Sequence, residues 1–175
     1  MKFRSATAAD IAQICRLETL PQFRTFVGSW PPDEHLKNLG DPDASYIVAE
    51  DEPGNLAAFA ILRGLLSEHR ALELKRIVVG SPNQGTGKRF LAAIANRAFG
   101  EYGAHRLYLD VFVNNDRALH VYEAFGFRKE GIMRDAIYRD GTYHSLVLMS
   151  LLESEYRLES ETRTNEATGR DRSDG

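Results

Sequence analysis

Apolar residues recur along this chain at two spacings, and the switches between them mark out the elements. Lys2–Ala6 is a short edge-strand candidate. Thr7-x-x-Asp10 has the form of a capping box and opens a helix expected to run to about Leu20. The stretch Pro21–Pro42 is irregular, with one helix expected at Asp33–Leu39. Ser45–Glu50 and Leu56–Gly64 read as strands around the turn Glu52-Pro53-Gly54-Asn55. Leu72–Val79 is a strand. Gly85–Gly100 is a helix with Phe90, Leu91, Ile94, Ala98 and Phe99 on one face. Arg106–Val113 is a strand. Asn115–Phe125 is a helix with Ala118, Val121, Tyr122 and Phe125 inward and Gly126 as its stop. Phe127–Met133 and Tyr143–Leu151 are strands, with a hairpin turn at Asp140-Gly141. From about Leu158 the composition turns polar and a disordered tail, 158–175, is expected after a domain of residues 1–157. The order β-α-α-β-β-β-α-β-α-β-β predicts a mixed α/β sheet.

The most informative segment is Leu72–Phe90, LELKRIVVGSPNQGTGKRF. A strand leads through a Gly-containing loop into the first turn of a basic helix. Such a helix N-terminus combines unpaired backbone donors with the positive end of the dipole, so it can hold a pyrophosphate. Two familiar phosphate loops do not fit. The Walker pattern needs Gly where Pro82 stands and Ser or Thr where Arg89 stands. The dinucleotide pattern finds Phe90 at its third Gly.

Gln84-x-x-Gly87 after a Val-Val strand end resembles motif A of the GNAT acyl-CoA N-acyltransferases, Q/R-x-x-G-x-G/A, with Arg89 at the place where Gly or Ala is usual. Leu109–Phe127, LDVFVNNDRALHVYEAFGF, resembles the family's motif B, in which a strand leads through an Asn to a helix ending in Tyr-Glu-x-x-Gly-Phe. Two motifs in the right order are far more specific than either alone. The resemblance extends over roughly Lys2–Leu151, and Gly126–Leu152 looks most like the branch with ribosomal-protein N-terminal and small-amine acetyltransferases. Ser145 stands where many relatives of that branch carry an acid.

The resemblance implies a GNAT fold: a mostly antiparallel central sheet, flanking helices, and a splayed parallel strand pair. It implies acetyl-CoA as co-substrate and direct transfer to a primary amine, either a small molecule or a protein N-terminus. The pantetheine arm would pair with backbone at Ile77, Val78 and Val79. The loop Gln84, Gly85, Thr86, Gly87, Lys88 and Arg89 would take the pyrophosphate, and Asn115 would contact the cofactor. Tyr122 matches the family's general acid; core packing is its other reading. Asn115 also reads as a plain helix N-cap. Glu73 and Asp110 each match a base used by some members. Glu73 shares a strand face with Lys75, whose ammonium would hold it ionised. Trp30-Pro31-Pro32 reads equally as an acceptor wall or as loop packing. Arg134, Asp135, Tyr138 and Arg139 would overhang the acceptor site. The rival from another class is a non-catalytic acyl-CoA-binding regulatory module.

Charge and composition narrow the rest. A net charge of −3 with mixed signs argues against broad nucleic-acid or anionic-membrane binding. Cys15 is the single cysteine, within the apolar stretch Ile11–Leu17, and reads as a buried inert thiol. Its position also leaves no nucleophile for a covalent route. His35, His69, His105, His120 and His144 lack a metal-ligand spacing, so no metal is expected. No membrane-length apolar run or signal pattern is present, which makes the cytoplasm the default. Dimers are common in the family, so a homodimer is compatible with the sequence.

Overall fold

The computed structural model describes residues 1–80 and 85–158. Seven strands form one sheet: β1 (Lys2–Ser5), β2 (Ala44–Glu52), β3 (Asn55–Arg63), β4 (Ala71–Val79), β5 (Arg106–Phe112), β6 (Arg128–Arg139) and β7 (Thr142–Leu152). Their spatial order is β1-β2-β3-β4-β5-β7-β6. Every neighbouring pair is antiparallel except β4 and β5, which run parallel. The helices are α1 (Ile11–Glu18), α2 (Pro32–Leu39), α3 (Thr86–Asn96) and α4 (Asp116–Phe125). The expected mixed α/β order is the observed one.

Side chains on successive strand residues point to opposite faces, and the core divides accordingly. Ile47, Ala49, Ala58, Ala60 and Leu62 join Phe90, Leu91 and Ile94 of α3 in one cluster. Tyr46, Val48, Phe59 and Ile61 join Ile11 and Ile14 of α1 in the other. β3 is therefore buried on both faces, which is why Leu56–Leu62 is an almost unbroken apolar run.

Several boundaries differ from the sequence reading. Asp10 does bind back to Thr7, accepting its N–H at 2.7 Å, but Ala8–Asp10 is a 3-10 turn and the α-helix starts at Ile11. It stops at Glu18, not Leu20, because Leu20 precedes Pro21 and is extended (ψ 137°). α2 starts at Pro32, a residue whose missing N–H costs nothing in a first helical turn. α3 ends at Asn96 and continues as a π turn through Glu101, where the Tyr102 N–H reaches the Arg97 carbonyl at 3.0 Å.

β6 runs six residues past Met133, to Arg139. It is an exposed edge strand with little apolar alternation, and its pairing with β7 slips between Met133 and Ile137. Asp135 sits there at φ 49°, its N–H donated to Ser145 Oγ at 3.1 Å. Asp140 and Gly141 both have positive φ, as the tight hairpin turn requires.

The pairing of β3 with β4 carries one irregularity that shapes the site. Leu62 faces Leu74 and Ile61 faces Arg76, so Lys75 is an extra residue on β4. Such a bulge bends and twists its strand. It also lets Leu72 and Leu74 before it, and Ile77 and Val79 after it, pack on the same cluster. β4 and β5 pair only from Ala71/Arg106 to Glu73/Tyr108. The strands part just as the bulge begins.

The N-terminal strand is tied to α1 by charge. Arg4 Nη1 and Nη2 each lie 2.8 Å from an oxygen of Asp10, and Arg4 Nε donates to Glu50 at 2.8 Å. The Arg4 guanidinium, helped by the Thr7 N–H, holds the buried Asp10 carboxyl at about 2, below its ordinary value of 3.8. A depressed carboxylate stabilises the fold above its unfolded pKa and stops doing so as pH falls through the folded one. Asp10→Asn is therefore expected to cost about 2 kcal/mol at neutral pH. In urea titrations the gap to wild type should shrink as pH drops from about 4 toward 2. A gap independent of pH would assign the effect to packing.

Candidate active site

Beyond Glu73 and Tyr108 the parted strands open a cleft of about 760 Å³. One wall is β4, from Leu74 to Ile77 and at Val79; the other is β5, from Leu109 to Phe112. Strand edges that have parted leave backbone N–H and C=O groups that an extended ligand can pair with. The two ends of the cleft differ in character.

One end meets α3. Gly85 is the N-cap, at φ 70° and ψ 0°, a conformation that costs an L side chain roughly 1–2 kcal/mol. Gly85, Gly87 and Lys88 line the cleft there, and the α3 N-terminus supplies its unpaired donors. Asn115 lines the same end from the start of α4. Its Oδ1 caps the helix by accepting the Ala118 N–H at 3.2 Å, which leaves the side-chain NH₂ for other partners.

The expected cofactor residues thus fall into three groups. Ile77, Val79, Gly85, Gly87, Lys88 and Asn115 line the cleft. Val78, Thr86 and Arg89 do not: Val78 faces the opposite cluster, Thr86 is buried, and Arg89 is exposed away from the lining. Arg89, at the motif's small-residue position, therefore does not fill the cleft. Gln84 lies outside the described residues.

The middle of the cleft holds Tyr122 and Asp110, the candidate acid and one candidate base. Tyr122 projects from α4, half-buried, with Phe127 edge-on at 5.7 Å between ring centroids. Burial, then the nearby Asp110 charge, pushes the phenol well above its ordinary value, so it stays protonated. Asp110 opens into the cleft from β5. Desolvation raises its carboxyl, the Glu73 charge adds to the rise, and the Lys75 ammonium opposes it. Glu73 sits at the last paired position, 3.2 Å from Lys75 Nζ, and does not line the cleft. The ion pair read from their shared strand face is present.

The other end is closed by Gln22, Phe23, Phe26, Val27 and Gly28, with Phe112, Ile137 and Arg139 opposite. Of the four hairpin residues expected to overhang the site, only Arg139 lines the cleft. Trp30 does not line it; its ring carries the Arg76 guanidinium at 4.1 Å instead. His144 stacks edge-on against Phe112 at 5.4 Å.

Arg76 was not singled out by sequence, and it anchors this end. It pairs with Glu18, whose side chain is fully buried. Glu18 Oε2 also accepts the Trp30 N–H at 3.1 Å and lies 3.2 Å from His35 Nε2. His35 Nδ1 lies 3.1 Å from the Tyr46 hydroxyl. The one available signal was a second charged residue, directly after Lys75, in the middle of a strand. Cys15 is half-buried, and burial pushes its thiol up, as an inert thiol requires. Among the described residues no cluster of His, Cys, Asp and Glu could hold a metal, and no helix is long and apolar enough to cross a membrane.

A parted parallel strand pair, a phosphate-type helix start and a tyrosine facing the gap define an acyl-CoA-dependent transferase. The model of the acetyltransferase (GNAT) family matches residues 11–127, and the chain belongs to that family. It is 33% identical to a spermidine N(1)-acetyltransferase of Vibrio cholerae over 129 residues, covering 71% of this chain and 73% of the relative. It is 31% identical to the N-alpha-acetyltransferase RimI of Mycobacterium tuberculosis over 133 residues, 73% and 78% of the two chains. A structure of spermidine N-acetyltransferase from Vibrio cholerae in complex with CoA and spermine superposes with a TM-score of 0.77. That match has 25% identity and covers 89% of this chain and 96% of the other.

Gly85→Val tests the loop. A β-branched residue at φ 70° is strained, so the α3 N-terminus should shift. The KM for acetyl-CoA is expected to rise about tenfold, with a smaller fall in kcat. An unchanged KM would mean that the cofactor does not rest on this helix start.

Proposed function

We propose that residues 1–157 form an N-acetyltransferase domain in which Asp110 and Tyr122 work on opposite sides of one acyl transfer. The observation that carries this reading is their placement in a single cleft, close enough for the Asp110 charge to act on the Tyr122 hydroxyl. Acetyl-CoA would enter with its pyrophosphate at the α3 N-terminus and its pantetheine along the free edge of β4. The acceptor is a primary amine, from a small molecule or a protein N-terminus. Relatives named for spermidine and for N-alpha acetylation support both.

The amine must be neutral to attack. Asp110, through water, takes the ammonium proton; its raised pKa makes it a stronger base than an ordinary carboxylate. The amine nitrogen then attacks the thioester carbonyl, and a β4 backbone N–H near Val79 steadies the developing oxyanion. The new C–N bond forms as the C–S bond breaks. Tyr122, held protonated by its buried setting, donates to the departing sulfur. The amine's second proton leaves to solvent, restoring the phenol by exchange. The products are the amide and CoA thiol. Glu73 is a weaker candidate for base, since it pairs with Lys75 and stands outside the cleft lining.

Thiol release from acetyl-CoA, measured against small amines and peptides, tests the reading. Tyr122→Phe should lower kcat by about a hundredfold while the acetyl-CoA KM moves by less than about threefold. Asp110→Asn should flatten the acid limb of the kcat/KM profile, which in wild type is expected above the ordinary carboxylate value of 3.8. Tight acetyl-CoA binding with no thiol release to any amine would favour a regulatory module instead.

A further inference from the structure

The acceptor end of the cleft holds two guanidinium groups aimed at one spot. A methyl group placed on Gly28 would stand 3.3 Å from Arg139 Nη2 and 3.7 Å from Arg76 Nη2. Residue 28 keeps that spot clear by lacking a side chain, and Gly28, Arg76 and Arg139 all line the cleft. Arg76 already serves Glu18 and stacks on Trp30. Arg139 has no carboxylate within ion-pair distance among the described residues. Its Nη1 donates to the Thr25 carbonyl at 3.2 Å, and its guanidinium lies 5.1 Å from the centre of the Phe112 ring. Of the two cations only Arg76 has a carboxylate partner, so the pair keeps donors to spare at the cleft.

Taking the acyl-transfer reading as given, we propose that this pair binds an acid group on the acceptor, so that the substrate is a small primary amine carrying a carboxylate. A guanidinium matches the two oxygens of a carboxylate, and the half-buried setting strengthens that pairing relative to bulk water. Asp110 stands on β5, in the same cleft, to attract the ammonium end. The far ammonium of a polyamine would meet Arg139 and Arg76, a like-charge encounter that disfavours it. The acceptor would differ in this respect from the spermidine of the relatives. Arg139 also braces the loop through Thr25, and the test must separate that duty from anion binding.

The test compares matched acceptors of similar amine basicity: γ-aminobutyrate against n-butylamine, β-alanine against n-propylamine, with spermidine alongside. Wild type should prefer the acid member of each pair by about tenfold or more in kcat/KM, equivalent to about 1.4 kcal/mol. Arg139→Gln should shrink that ratio to within about threefold, mainly through KM, and Arg139→Lys should retain part of it. A loosened loop alone would slow both members together and leave the ratio intact, which would overturn the anion role. Equal or better use of the alkylamines and spermidine by wild type would also overturn it, while leaving acyl transfer standing. If no amine is turned over, acyl transfer itself fails. Calorimetry with the N-acetyl amino acid then decides the anion site: binding lost in Arg139→Gln supports it, and no binding to wild type removes it.

Discussion

One extra residue in β4 governs the rest of the structure. With Lys75 inserted between Leu74 and Arg76, β4 keeps Leu72, Leu74, Ile77 and Val79 on one cluster while bending away from its parallel neighbour. Pairing with β5 ends at Glu73/Tyr108. Everything assigned to chemistry depends on that parting: a free strand edge for an extended cofactor, and a gap into which Asp110 and Tyr122 both open. Two fully paired strands would leave no gap for the thioester.

The buried polar cluster around Glu18 anchors Arg76 in one end wall of the cleft. Glu18 joins α1 to β4 through Arg76, to the loop through the Trp30 N–H, and to α2 through His35. Tyr46 on β2 completes the chain at His35 Nδ1. A buried carboxylate with a cation and two further partners is satisfied; without them it would carry a desolvation cost of several kcal/mol. The segment between α1 and α2 has only a short 3-10 turn of its own, and it is tied down by the Trp30 N–H on Glu18, by Gln22 on the Gly80 carbonyl and by Arg139 on the Thr25 carbonyl.

Much of this was legible in the sequence. Long apolar runs and two-residue alternation located every strand, and Asp140-Gly141 located the last hairpin. The motif around Gly85 and Gly87 gave the helix start, and the Asn115–Gly126 pattern gave the position of Tyr122. Three things were hidden, each for a physical reason. The length of β6 was hidden because an exposed edge strand carries polar residues on both faces. The bulge was hidden because Lys75 and Arg76 are both polar, and either could have been the extra residue. The Gly28–Arg76–Arg139 meeting was hidden because its members come from a loop, a central strand and an edge strand. Glu73 matched a base used elsewhere in the family, but only the geometry revealed that it stops at the apex, outside the gap.

Deleting Lys75 would restore a regular β4 with the same residues on each cluster, so the variant should still fold. Calorimetric titration of wild type and the Lys75-deleted chain with acetyl-CoA, alongside their thermal melts, addresses the parted strands directly. The expected result is one acetyl-CoA per wild-type chain and at least about tenfold weaker binding in a deletion variant that still melts cooperatively. Equal affinity in the two proteins would contradict a cleft made by the bulge, and no binding to wild type would contradict the cofactor site altogether.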